Sequence, residues 1–161
     1  MDNFMQQFCQ QLINGISLGS IYALIALGYT MIYGIIKLIN FAHGDIYMIG
    51  AYFGFFATTQ LGVGFIPAII IAMAGAAVVG IIIERIAYRP MRNAPRIAIL
   101  ITAIGVSFLL EYGMILFVSP QPRTFPAVFT PTVYHMGPLV ANSQQLVILI
   151  SAIILMVTLS Y

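Results

Sequence analysis

Charge is what this chain has least of. Of its 161 residues, 6% are Asp, Glu, Lys or Arg and 61% are hydrophobic, with a mean hydropathy of +1.04. A soluble domain carries about 25% charged residues. Lys37, Arg85, Arg89, Arg92, Arg96, Arg123, Asp2, Asp45, Glu84 and Glu111 are the whole charged set. That is too few to coat a water-soluble globule, and the composition is that of a polytopic membrane protein.

Other absences narrow the function. Cys9 is the lone cysteine, which excludes an intrachain disulfide and a cysteine metal cage. Four of the five arginines fall between positions 85 and 96, and no basic face exists elsewhere, so no nucleic-acid partner is expected. The opening MDNFMQQFCQQ has no basic stretch before its apolar run, unlike a cleaved signal peptide. No GxxxxGK[ST] loop, HExxH motif, Cys/His cluster or GxSxG elbow occurs. No metal, cofactor or catalytic residue is therefore expected, and the chain is not expected to hydrolyse ATP by itself.

What is there is apolar length. A bilayer core of about 30 Å needs about 20 apolar residues as helix. Runs at about 12–33, 35–60, 65–88, 97–118 and 145–161 fit that length, so the expected fold is all-α, with about five transmembrane helices in a single domain over 1–161. In the first run Gly15, Gly19 and Ala23 fall four apart; in the third Ala68, Ala72, Ala76 and Gly80 do. Such small-residue stripes let helices approach closely in lipid. Arg89–Pro90 is expected to end the third run, because the residue before proline avoids the α region. The fourth run contains Thr102, Gly105, Ser107 and Glu111. Residues 119–143 hold Pro120, Pro122, Pro126, Pro131 and Pro138 and read as an irregular or partly re-entrant loop, with His135 as a solvated loop residue. The last run, LVILISAIILMVTLSY, reaches the end of the chain without a flanking charge, as the N-terminal half of a longer protein would.

Orientation follows from the arginines. The segment ERIAYRPMRNAPR at 84–96 concentrates Arg85, Arg89, Arg92 and Arg96, and the positive-inside rule places it in the cytoplasm, with 119–143 outside. Glu84 is expected to pair with one of these arginines at the membrane edge.

The stretch 34–60 is too long for one straight crossing and contains INFAHGDIYMIG. It reads either as a discontinuous helix crossing from inside to outside, broken near 40–45, or as a re-entrant segment; Lys37 favours the first by placing a positive charge on the inner side. Beyond the break, Ile46, Gly50, Gly54 and Thr58 form a narrow four-spaced face. An intramembrane aspartate costs about 2.5–3.5 kcal/mol on insertion scales, so such residues face a bundle interior or a wet cavity. Asp45 and His43 thus read as pathway residues, or Asp45 as the cap of a half-helix that Gly44 lets form. Glu111, at mid-depth, reads equally as a pathway group or a packing one.

The ordered blocks NGISLGSIYALIALGYTMIYGIIKLINFAHGDIYMIGAY (14–52), ERIAYRPMR (84–92) and LITAIGVSFLLE (100–111) resemble the permease subunits of bacterial ABC importers for branched-chain amino acids, of the LivH type. Glu111 departs from that pattern, which usually has an amide there. The resemblance implies an inner-membrane, multi-pass subunit. It would work with a second homologous permease, two cytoplasmic ATP-binding subunits and a periplasmic or extracellular substrate-binding protein delivering leucine, isoleucine or valine. It also implies a translocation path near Asn40, Phe41, His43, Gly44 and Asp45. Permeases for urea, short amides or another amino acid share the NFAHGD-like region, and a truncated subunit acting only in assembly is a further alternative.

Overall fold

The computed structural model describes residues 2–37, 39–126, 132–136 and 139–160. Among these residues five α-helices run in chain order: α1 (Asp2–Ile36), α2 (His43–Thr59), α3 (Phe65–Ile83), α4 (Arg96–Phe117) and α5 (Ser143–Ser160). The fold class is an all-α polytopic membrane protein. Asn3–Ile35, Phe65–Met91 and Arg96–Phe117 are long and apolar enough to cross a membrane. The apolar stretch Ser143–Leu159 is shorter. With 17 residues, α2 spans about 26 Å, slightly less than a bilayer core.

Backbone contacts divide the chain into two compact units, 1–31 with 129–161, and 32–128. In the first, α1 begins ten residues before the expected apolar run. No proline interrupts it, and its early glutamines find uses: Gln10 donates to the Val140 carbonyl at 2.8 Å and accepts from the Val140 amide at 2.9 Å. Val140 belongs to a two-stranded antiparallel hairpin, β1 (Val133–Met136) with β2 (Leu139–Asn142), inside the stretch expected to be irregular. Tyr134 pairs with Ala141 and His135 with Val140 in its register. Pro131 and Pro138 lie outside the described residues.

The second unit carries α2, α3 and α4. Gln60–Gly64 reverses the chain between α2 and α3, with Gly62 at φ +63°, a conformation glycine adopts without strain. The two helices then pack with their small residues opposed. A Cβ on Gly50 would sit 3.2 Å from Ala76 Cβ, and one on Gly54 would sit 3.5 Å from Ala72 Cβ. Ala57 and Ala68 are buried on the same two helices. Close approach compensates for the lack of a hydrophobic driving force between helices in lipid, because it gains dispersion contacts along the backbone. Among the described residues no large side chain is fully buried; Ile83 and Ile99 are nearly so, while many Ile, Leu, Phe and Met side chains are exposed, as contact with lipid or neighbouring helices requires.

Two local expectations are corrected. The interruption near 40–45 does not split the second helix. Residues 34–36 continue α1, Lys37 turns left-handed (φ 55°) as its amide closes on the Tyr33 carbonyl at 2.7 Å, and α2 starts only at His43. Gly44, expected to permit the break, is an ordinary second residue of α2. The end of α3 also changes differently. Glu84–Tyr88 form a π-helical turn and Arg89–Met91 a 3-10 turn, while Arg89 keeps right-handed dihedrals (φ −60°, ψ −43°) despite Pro90. The helix widens five residues before the expected stop and runs through it.

Candidate functional site at the start of the second helix

The polar cluster is built from a turn and two neighbouring helices. Asparagine favours turns because its side chain can bond backbone two residues on. Asn40 does this: its Oδ1 accepts from the Ala42 amide at 3.1 Å, and its carbonyl accepts from the His43 amide at 3.2 Å. Asn40 therefore satisfies amides at the start of α2, whose N-cap position, Ala42, has no side-chain cap. The capping role considered for Asp45 falls to Asn40 instead. Asn40 Oδ1 accepts a second bond, at 2.6 Å, from the Tyr88 hydroxyl in the π turn after α3.

Asp45 lies in the first turn of α2, where a negative group is favoured by the helix dipole. Its Oδ2 accepts a hydrogen bond from Ser107 Oγ. Ser107 is midway between Arg96 and Phe117, about 15–17 Å of helix rise from either end of α4. The aspartate thus meets the middle of a membrane-length helix, half-buried and with a hydroxyl partner. His43 is half-buried beside it, Phe41 is exposed, and a Cβ on Gly44 would meet nothing within 4 Å, so space opens next to the first turn of α2. Ala42, at the base of the turn, is completely buried.

Other residues singled out in the sequence lie apart from this cluster. Glu111 sits one turn beyond Ser107, is exposed, and makes no hydrogen bond or ion pair among the described residues. Glu84 pairs with Arg92 at 2.6 Å, while Arg85, Arg89 and Arg96 are exposed. Positions Gly15, Gly19 and Gly80 have no atom within 4 Å of a built Cβ. No group of three or more His, Cys, Asp or Glu among the described residues is arranged to hold a metal ion.

Sequence reasoning passed over Tyr88 and named Ser107 without giving it a role. A tyrosine at a helix end reads as an interfacial anchor. A lone serine in an apolar helix reads as bonding its own carbonyl four residues back. Neither lies near the break in the chain: Tyr88 is 48 positions from Asn40 and Ser107 62 from Asp45, so no local signal pointed to them.

A protein-family model described as the permease component of branched-chain amino acid transport systems matches residues 11–161. The chain belongs to this permease family. The permease is 48% identical over 134 residues to the high-affinity branched-chain amino acid transport system permease protein LivH of Salmonella typhimurium. It is 47% identical over 134 residues to LivH of Escherichia coli, and 45% over 129 residues to BraD of Pseudomonas aeruginosa. These alignments cover 75–76% of this chain but 42% of each relative, so the permease spans less than half the length of the curated relatives it matches. No solved structure matches it.

Proposed function

We propose that the chain contributes a single transmembrane permease domain to an ABC importer that carries leucine, isoleucine or valine across the bacterial inner membrane. ATP would be bound and hydrolysed by two separate cytoplasmic subunits. A second homologous permease would complete the pathway, and a periplasmic or extracellular binding protein would deliver the substrate. The permease itself would be neither an enzyme nor a cofactor binder. Its segment 84–96 would face the cytoplasm and 119–143 the exterior.

The observation that carries this reading is Asp45, in the first turn of α2 and held by Ser107 against the middle of α4. Ionisable residues at that depth belong to pathways, and the start of a helix inside a membrane suits an anionic group. A zwitterionic amino acid would pass with its carboxylate toward the amides beside Gly44 and its ammonium toward Asp45. His43 and Asn40 would line the same passage, with Phe41 at its edge. Tight binding is not required, because the binding protein supplies selectivity.

The test is uptake of labelled leucine by a complete transporter carrying Asp45→Asn. Uptake should fall while the subunits still co-purify. Full uptake in the variant removes Asp45 from the mechanism, and transport of urea or a short amide in place of leucine reassigns the substrate.

A further inference from the structure

We propose that the crevice between the end of α1 and the start of α4 binds an anionic phospholipid. The crevice, within the unit 32–128, has a volume of about 610 Å³, inside the range of about 300–1,000 Å³ usual for ligand clefts. Two cations line it, Lys37 and Arg96, together with the apolar side chains of Ile39, Ile99 and Leu100. Neither cation has a carboxylate partner among the described residues, where the one ion pair joins Arg92 to Glu84. Tyr33 completes the wall, and tyrosine is a residue enriched where membranes meet water.

Lys37 adds an independent observation. It holds a left-handed backbone (φ 55°) at a helix end where glycine is the usual residue. A strained residue of this kind is retained where its side chain has work to do, and here the side chain brings a positive charge to an apolar crevice.

The lining selects the ligand. Inorganic phosphate would use the cations but gain nothing from Ile39, Ile99 and Leu100. A zwitterionic lipid would use the apolar wall and offer a phosphate, but would bring its own cation to the two already there. A phospholipid with net negative charge satisfies both, its phosphate between Lys37 and Arg96 and its chains along the isoleucines and leucine. Basic pockets between membrane helices bind acidic headgroups by this combination.

The experiment uses the full chain purified in neutral detergent, with phosphatidylglycerol or phosphatidylcholine added and the retained lipid counted by native mass spectrometry. Phosphatidylglycerol should be retained over phosphatidylcholine. Lys37→Gly and Arg96→Gln should each lower its retention about fivefold. Arg85→Gln, which removes the same charge outside the crevice, should not. Because glycine accepts the left-handed conformation, Lys37→Gly should melt no lower than the unaltered chain, which separates lost binding from lost folding. Equal retention of the two lipids, or unchanged retention in both crevice variants, overturns the proposal. So does displacement of phosphatidylglycerol by an equal concentration of inorganic phosphate, which makes this a soluble-anion site. Cross-linking of Ile39→Cys to a second polypeptide in native membranes also overturns it, by making the crevice a subunit interface.

Discussion

The Ser107 hydroxyl donates a hydrogen bond to Asp45 Oδ2, joining the first turn of α2 to the midpoint of α4. The two residues are 62 positions apart in the chain. Removing the donor leaves a half-buried carboxyl without it. Ser107→Ala should therefore destabilise the chain by about 1–2 kcal/mol, between the values for hydrogen bonds in membranes and those made to charged groups. Ser107→Thr, which keeps the hydroxyl, should lose less. Denaturant titration in detergent measures both, and a Ser107→Ala chain as stable as its parent would show the bond to be energetically idle.

Asn40 Oδ1 accepts from both Ala42 and Tyr88, so its two roles can be separated. Tyr88→Phe keeps the ring and deletes one bond, at a cost of about 1 kcal/mol. Asn40→Ala deletes both and should cost more, because an amide at the start of α2 also loses its acceptor. In a double-mutant cycle the pair should show coupling of about 0.5–1 kcal/mol. Strict additivity would mean that the turn holds itself without Tyr88.

Glycine replacements should rank by the space the structure leaves. A Cβ on Gly75 would collide with the Phe53 ring, one on Gly50 would lie 3.2 Å from Ala76 and one on Gly54 3.5 Å from Ala72, while one on Gly80 is unopposed. Gly75→Ala should cost about 1–3 kcal/mol by overpacking and be relieved by Phe53→Ala; Gly50→Ala should cost less and Gly54→Ala little. Gly80→Ala should be neutral or stabilising by up to about 1 kcal/mol through helix propensity. Any order that places Gly80→Ala among the damaging variants contradicts the packing described.

The Arg92–Glu84 pair is short at 2.6 Å, yet the arginine side chain is 65% exposed and the glutamate 32%. Solvent screening limits such a pair to about 0–1 kcal/mol. Glu84→Gln should shift the melting temperature slightly at low salt and not at all near 1 M salt, where the screening length is about 3 Å. A large effect that persists in salt would point to a role beyond the pair.

The class of protein and the position of most helices are legible in the residues alone. A bilayer demands long apolar runs with every backbone group bonded internally, and that demand is local and visible: α3 and α4 match runs 65–88 and 97–118 closely. The spacing of Gly50, Gly54, Ala72 and Ala76 was equally visible, because helical periodicity is a property of one segment. The break between α1 and α2 was legible as a polar interruption, but its form was not. Local rules assign conformational freedom to Gly44, whereas Lys37 takes the left-handed position and Asn40 satisfies the helix start. What the polar residues meet depends on how the helices pack. Asn40 and Tyr88 are 48 positions apart, and Asp45 and Ser107 62. Which side chains face each other depends on how far one helix slides along another, and that register is set by opposed small residues such as Gly50 and Ala76, not by anything near Asp45 in the chain.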